Sequence, residues 1–191
     1  MKRKTFINTI SLASGGAIIL PTAGLLQSCE YQPKNRVTLQ KEDIGFLDEI
    51  GETILPATEA SPGAKAAEIG NFMYSIFQDC MEPENQAIFL SGLNELDAQA
   101  AALFNTSFID ASPIEKTKLL EKIQLEAIIY NKEQEGMEEI LPHYFDLFKN
   151  LTTYGYFTSE IGMTIARDYL PIPGKYEACI SYKIGDRPWA T

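Results

Sequence analysis

Few side chains in this sequence could carry out chemistry. There is one histidine, His143, and the three cysteines, Cys29, Cys80 and Cys179, lie far apart along the chain. A zinc site needs cysteine, histidine or carboxylate ligands at close spacing, and covalent haem attachment needs a Cys-x-x-Cys-His motif. Because neither pattern occurs, the sequence predicts that this chain holds no metal ion and no haem, and that His143 has a structural role.

Sites for flavin, nicotinamide or nucleotide cofactors are not indicated either, since no glycine-rich phosphate-binding loop follows a predicted strand. We therefore expect no cofactor in this chain. Acidic residues are abundant, and two carboxylates of the run Glu133, Glu135, Glu138 and Glu139 could in principle act as a glycosidase pair. Such a run beside Gly136 is more typical of a solvated helix end, which is the interpretation we favour. A self-sufficient carboxylate-dependent enzyme is the alternative.

The net charge limits the choice of partner. The 191 residues include 16 Lys and Arg against 26 Asp and Glu, which gives a formal charge of −10. An acidic chain of this kind offers no basic surface to a phosphate backbone, so nucleic acid is not expected as a partner. The length and a hydrophobic content of 45% predict one compact domain with its own core.

Residues 1–28 have the pattern of an export signal. A basic head, Lys2 to Lys4, precedes a weakly apolar stretch, and Leu26-Gln27-Ser28-Cys29 resembles the signal at which a lipoprotein is cleaved and its cysteine lipidated. We predict a signal peptide over 1–28, a lipid anchor on Cys29, and a location on the periplasmic side of a bacterial membrane. A single anchor helix, or cleavage that leaves a free periplasmic protein, are the alternatives.

Three residues at the start of this signal suggest an export route. Arg3, Lys4 and Phe6 resemble the twin-arginine signal, which carries folded proteins across the membrane, with lysine in place of the second arginine. The general secretory pathway is the alternative interpretation of the same basic head.

Helices are the elements that must hold the remaining residues in place. After a polar tether at 29–37, apolar residues recur at three- and four-residue spacing, and no stretch shows the sustained alternation of a strand. We predict an all-α fold, with a single compact domain of about six helices over 38–191 and an irregular C-terminal tail from Pro171. The predicted helices are Ile44 to Ile54, a short helical turn that restarts at Ser61-Pro62-Gly63-Ala64 with a further apolar face at Phe72, Ile76 and Phe77, Pro83 to Phe104, one that starts at Ser112-Pro113-Ile114-Glu115, about Leu141 to Leu151, and Ser159 to about Tyr169.

Two cysteines remain as an even pair once Cys29 is assigned to lipid, and an exported protein lies in an oxidising compartment. A disulfide between Cys80 and Cys179 would tie the irregular tail to an early helix. Two buried free thiols are the alternative.

Several segments together resemble one protein family, that of gluconate 2-dehydrogenase subunit 3. The resemblance covers nearly all of the predicted domain, and the order of the segments is more specific than any one of them. The similar segments are Ile54 to Pro56, Ser61 to Ala64, Leu93 to Asp97 followed by Phe104 and Phe108, Gly155 to Gly162, Tyr169 to Tyr176, and the tryptophan near the C-terminus.

The resemblance implies a non-catalytic role. Members of this family are small exported subunits of membrane-associated dehydrogenases that oxidise sugars or sugar acids. The implied partner is a large FAD-dependent subunit of the glucose-methanol-choline type, often together with a cytochrome c subunit that carries haem c. The resemblance thus implies that this chain binds the flavoprotein. With the lipid anchor on Cys29 and the twin-arginine-like signal, we predict that it also tethers the flavoprotein to the membrane and escorts its export.

A subunit without chemistry must contribute binding, and aromatic side chains are the usual energetic centres of protein interfaces. Aromatic residues concentrate in the C-terminal part of this chain, around glycine and proline. We predict that they form the partner interface, although Tyr156 and Phe157 could equally fill the core. The set is Tyr154, Tyr156, Phe157, Tyr169, Tyr176 and Trp189. A lipoprotein that binds a small ligand is a third interpretation of the chain.

Overall fold

A computed structural model describes residues 31–137, 140–172, 174 and 179–190. Most of these residues lie in helices, and the chain from Pro33 onward forms one compact unit. The predicted all-α class is confirmed. In this part of the chain the α-helices are, in order, α1 (Ile44–Ile54), α2 (Ile69–Asp79), α3 (Pro83–Phe104), α4 (Pro113–Glu133) and α5 (Tyr144–Thr158).

The starts of α4 and α3 follow the predicted capping and proline signals. At the start of α4, the Ser112 hydroxyl accepts a hydrogen bond from the Glu115 N–H at 3.4 Å, and the Glu115 carboxylate accepts one from the Ser112 N–H at 2.9 Å. Pro113 occupies the first helical position, where an N–H would have no intrahelical partner. In the same way α3 begins at Pro83 and ends at Phe104, as the sequence predicts.

The boundaries of α5 differ from the prediction. The helix begins at Tyr144 and not at Leu141, because His143 caps it: the His143 Nδ1 accepts a hydrogen bond from the Phe145 N–H at 3.2 Å. Burial lowers the pKa of His143, which favours the neutral ring that this bond requires. The helix then continues past the predicted end at Leu151, as far as Thr158.

The predicted sixth helix, Ser159 to about Tyr169, does not form as a regular α-helix. Ser159 adopts an extended conformation that ends α5, and its hydroxyl accepts a hydrogen bond from the Gly162 N–H at 3.1 Å. A π-helical turn follows over Gly162–Ala166. Strand β1 (Asp168–Tyr169) then pairs in parallel with β2 (Trp189–Ala190), and we call this pair the terminal ribbon. The described residues 179–188 before β2 are irregular, as predicted.

The core lies where the five helices meet. Helix α1 packs against α2, α4 and α5, and α3 packs against α5. Helices α3 and α5 approach closely at Gly92, where a Cβ atom would lie 2.5 Å from the Cβ of Tyr144. The largest fully buried side chains are Leu39, Phe46, Leu47, Ile50, Ile69, Met73, Phe89, Leu93, Leu96, Phe108, Leu119 and Phe148.

The segment that precedes α1 is fixed to the domain. The Lys34 backbone N–H donates to the Asp97 carboxylate at 3.2 Å, and the Arg36 N–H donates to the Asn94 side-chain oxygen at 2.7 Å. The predicted tether covers 29–37, yet from Lys34 onward the chain is bound to α3. We call residues 34–36 the N-terminal arm.

Arg36 holds this arm through a buried cluster of charges. Its Nε donates to the Asp43 carboxylate at 3.0 Å, and its Nη1 lies 3.7 Å from a carboxylate oxygen of Asp97. Its guanidinium also covers the Phe46 ring at 4.2 Å from the ring centre. The three charged side chains are at most 4% exposed. The arm therefore depends on charge pairing inside the protein as well as on packing.

Candidate partner-binding surface

Some of the predicted site residues lie outside the described part of the chain. They are Arg3, Lys4 and Phe6 of the export signal, Cys29 of the lipid anchor, and Tyr176 of the interface. What the sequence indicates for them stays a prediction.

Cys80 and Cys179 are exposed free thiols. Cys80 follows the last residue of α2, and Cys179 lies in the irregular stretch before β2. The disulfide between them is therefore not formed in this structure. The alternative of two buried thiols is not observed either, because both residues are exposed.

The face of α5 that includes Tyr156 packs into the core. Tyr156 is 3% exposed, its ring lies edge-on to that of Phe157 at 5.2 Å between centroids, and its hydroxyl donates to the carbonyl oxygen of Pro62. Tyr156 thus ties α5 to the loop that follows α1. Its predicted place in the partner interface is corrected accordingly, because this side chain leaves no surface for a partner to contact.

The opposite face of α5 forms a wall of an open cleft, which we call the α5 cleft. Tyr154 is 65% exposed there, and Phe157 lies partly buried beneath the guanidinium of Arg167. The fold thus brings two of the predicted interface aromatics to one place. The cleft has a volume of about 560 Å³ and is lined by Asn150, Thr153, Tyr154, Phe157, Thr158 and Arg167.

Tyr169 and Trp189 lie on the terminal ribbon and are 47% and 58% exposed. Asp168 pairs with Trp189, and Tyr169 pairs with Ala190. Because successive side chains of a strand point to opposite faces, Tyr169 and Trp189 lie on opposite faces of the ribbon. The same part of the chain exposes further large apolar side chains: Ile165, Leu170, Ile172, Ile180, Tyr182 and Ile184.

A second exposed apolar surface was missed by the sequence analysis. Leu125, Ile128 and Ile129 of α4 are 63%, 44% and 58% exposed, and we call them the α4 face. Their spacing places them on one side of the helix. The sequence signal is that α4 carries more apolar residues than one core-facing stripe can hold. Its buried stripe consists of Leu119, Leu120, Ile123 and Ala127.

Neither a metal centre nor a membrane span is found in the described residues. Across 31–137, 140–172, 174 and 179–190, no three His, Cys, Asp or Glu side chains are grouped so as to hold a metal ion. No helix in the same ranges has the length and apolar character needed to cross a bilayer. Of the carboxylates considered for catalysis, Glu133 and Glu135 are exposed, and Glu138 and Glu139 lie outside the described residues.

Gly162 controls how the chain passes from α5 to Arg167. A Cβ atom on Gly162 would lie 1.8 Å from the carbonyl oxygen of Tyr156, a backbone atom that cannot rotate away. We expect Gly162→Ala to lower the free energy of unfolding by about 1–3 kcal/mol, as overpacking does in a filled site. Urea unfolding followed by circular dichroism measures the change.

Gly45→Ala is the matched control for this substitution. No atom lies within 4 Å of a Cβ atom built on Gly45, which is an exposed residue of α1. Alanine there is expected to leave the free energy of unfolding unchanged or to raise it by up to about 1 kcal/mol, since alanine favours helix more than glycine does. Equal losses in the two variants would show that crowding at Gly162 is not the cause.

Comparison with known protein families gives one match. Residues 41–174 match the model of the family described as Gluconate 2-dehydrogenase subunit 3. The match covers more than two thirds of the chain and includes α1 to α5, the π-helical turn and β1. It confirms the resemblance found in the sequence. No curated protein and no solved structure matches the chain significantly.

Proposed function

The chain belongs to the gluconate 2-dehydrogenase subunit 3 family, and we propose that it is the non-catalytic small subunit of a membrane-associated, FAD-dependent sugar or sugar-acid dehydrogenase. In this proposal it binds a catalytic flavoprotein of the glucose-methanol-choline type and tethers it to the periplasmic side of the membrane through a lipid on Cys29. It also escorts the flavoprotein during export. A cytochrome c subunit with haem c is the third member of the complex.

The exposed aromatic side chains of the α5 cleft and the terminal ribbon are the observation that supports this proposal. Tyr154, Tyr169 and Trp189 are 65%, 47% and 58% exposed. Large aromatic side chains gain much free energy when they are removed from water. Several exposed aromatic side chains among other exposed apolar side chains are typical of a region that a partner covers. Since Tyr169 and Trp189 lie on opposite faces of the terminal ribbon, the partner contacts both faces in this proposal.

The N-terminal arm supports the tethering part of the proposal. Lys34 is the first residue of the arm that is bonded to α3. The chain between Cys29 and Lys34 can span at most about 18 Å, since each residue extends by no more than about 3.6 Å. A lipid on Cys29 therefore keeps the domain, and any flavoprotein bound to it, close to the membrane where electrons are passed on.

The proposal is tested by purifying the tagged full chain, in detergent, from its own bacterium. We expect a flavoprotein to accompany it and to show as flavin absorption, and we expect dye reduction with sugars or sugar acids to require that companion. Oxidation of a sugar after the companion has been removed would contradict the proposal and favour the self-sufficient enzyme. A lone chain whose melting temperature rises with a small ligand would favour the ligand-binding lipoprotein.

Replacing Tyr154, Tyr169 and Trp189 together with serine is expected to reduce the flavin recovered per mole of chain at least about tenfold, because interface aromatics carry much of the binding free energy. The matched control replaces the three residues of the α4 face, Leu125, Ile128 and Ile129, with serine and is expected to retain the flavin. If both variants lost the same amount of flavin, or if the aromatic variant kept all of it, the interface would not lie in the C-terminal part of the chain.

A further inference from the structure

Arg167 forms no ion pair with any carboxylate in the described part of the chain. It lies between the π-helical turn and β1, and its guanidinium covers the Phe157 ring at 4.6 Å from the ring centre. Its Nε is buried, and no acceptor among the described residues bonds to it. A buried donor of a charged group is expensive to leave unpaired, and native proteins rarely do so without a functional reason.

The surroundings of Arg167 favour an anion from outside the chain. Of the six residues that line the α5 cleft, Arg167 is the only charged one. The contact with the Phe157 ring restricts the Arg167 side chain, and this ordering reduces the entropy lost when its N–H groups are bonded. Asn150 and Tyr154 add an amide and a hydroxyl that can also donate hydrogen bonds.

We propose that the α5 cleft receives the carboxylate of an Asp or Glu side chain of the catalytic flavoprotein, bound by Arg167. This inference rests on the proposed function. A planar guanidinium matches the two oxygens of a carboxylate, and a single cation balances a single negative charge. Arginine is also among the residues that contribute most at the centre of protein interfaces.

The charge of the whole chain gives this contact a further role. The formal charge is −10, so the chain as a whole repels an acidic segment of a partner. Arg167 is a site where such a segment is attracted, and exposed Tyr154 stands beside it in the same cleft. The arginine therefore determines the register of the partner on this surface, while the aromatic side chains supply the buried apolar area.

The chemistry of the cleft is tested with acetate as the probe. In the ¹⁵N-labelled full chain, in detergent micelles, we expect sodium acetate to shift the Nε–H resonance of Arg167 in a saturable way. That resonance is assigned by its loss in Arg167→Lys. Acetamide, and sodium chloride at the same ionic strength, are expected to leave it in place. An Nε–H resonance that does not respond to acetate would overturn the proposal.

The source of the carboxylate is tested in the complex. Arg167→Gln is expected to weaken binding of the purified flavoprotein about 30-fold, as loss of a central interface arginine does. Arg167→Lys keeps the charge and serves as a second variant if the glutamine variant does not fold; it is expected to weaken binding as well. The charge-matched control is Lys118→Gln, at an exposed position of α4, which is expected to bind like the original chain.

The two measurements separate the inference from the proposed function. An acetate response together with unchanged flavoprotein binding in both Arg167 variants would overturn the partner as the source and indicate a small acid in the cleft. An original chain that binds no flavoprotein would overturn the proposed function and the inference with it, whereas the acetate response would still show that the cleft binds carboxylates. If Lys118→Gln weakened binding as much as Arg167→Gln, the loss would be explained by the change in net charge. That result would overturn the specific contact of Arg167.

Discussion

Arg36→Ala is expected to lower the free energy of unfolding by about 3–5 kcal/mol at neutral pH, because removing one partner of a buried ion pair leaves the other charges uncompensated. The Arg36 guanidinium lies between the carboxylates of Asp43 and Asp97, and all three side chains are at most 4% exposed. Alanine also removes the contact with the Phe46 ring. Urea unfolding followed by circular dichroism measures the loss.

The dependence of this loss on pH identifies its cause. Burial disfavours the charged form of Asp43, but hydrogen bonds from Lys34, from the Gln40 N–H and from Arg36 outweigh it and hold the pKa of Asp43 below its ordinary value. The stability that Asp43 contributes is therefore present above the ordinary carboxyl pKa of about 4 and is lost as the pH falls through the lower pKa of the folded protein. The difference between Arg36→Ala and the original chain should shrink over the same range, since a protonated carboxyl group needs no arginine.

Two further variants separate charge from packing in this cluster. Lys34→Ala removes a side chain that is 50% exposed and bonded to the same Asp43, and it is expected to cost less than about 1 kcal/mol. Neutralising all three buried charges together, as Arg36→Met with Asp43→Asn and Asp97→Asn, should recover most of the lost stability. A triple variant as unstable as Arg36→Ala would refute the electrostatic explanation.

Phe148→Ala is the second substitution with a large expected effect, a loss of about 3–5 kcal/mol in the free energy of unfolding. Phe148 is fully buried on the core face of α5, edge-on to Phe89 at 5.0 Å between ring centroids and 5.7 Å from the ring of Tyr144. Truncation leaves a cavity that the rigid packing of α3 against α5 cannot close, because Gly92 already brings these helices into contact.

The control for Phe148→Ala lies on the α4 face. Ile129→Ala removes a large apolar side chain that is 58% exposed, and it is expected to change the free energy of unfolding by less than about 0.5 kcal/mol. Phe148→Leu should give an intermediate loss. If Phe148→Ala and Ile129→Ala lowered stability by similar amounts, Phe148 would not be the core contact that the structure shows.

Substitutions in the core are expected to affect the proposed interface as well as stability. Helix α5 carries Phe148 on one face and Tyr154 and Phe157 on the other, so the core contact fixes the orientation of the cleft. Variants that loosen the core are therefore expected to weaken partner binding as well. For this reason the interface variants proposed above change only exposed side chains or Arg167, and each is compared with an exposed control.

Local features of the chain were predictable because the interactions behind them span few residues. The capping box joins Ser112 to Glu115, three positions away, and the proline at the start of α3 acts on its own first turn. Buried stripes such as Leu119, Ile123 and Ala127 follow from the helical period. The family could also be recognised, since it depends on the order of segments along the sequence and on nothing that the fold adds.

The exposure of the side chains at the end of α5 could not be predicted from local patterns. A helix that ends at Leu151 says nothing about the direction of the side chains after it, so Tyr154 and Tyr156 could not be distinguished. The helix continues to Thr158, and a rotation of about 100° per residue places these two tyrosines on opposite sides. One of them is consequently 65% exposed and the other 3%.

Contacts between distant segments lay beyond the reach of the sequence for a different reason. Arg36 in the N-terminal arm and Arg167 after the π-helical turn stand in no motif, and both resemble ordinary surface cations when the sequence is considered alone. Packing buries Arg36 between the carboxylates of Asp43 and Asp97. It places the other arginine, Arg167, over the Phe157 ring, where no carboxylate among the described residues pairs with it. Capping and periodicity act along the chain, whereas burial and charge pairing arise only when separate segments meet in three dimensions.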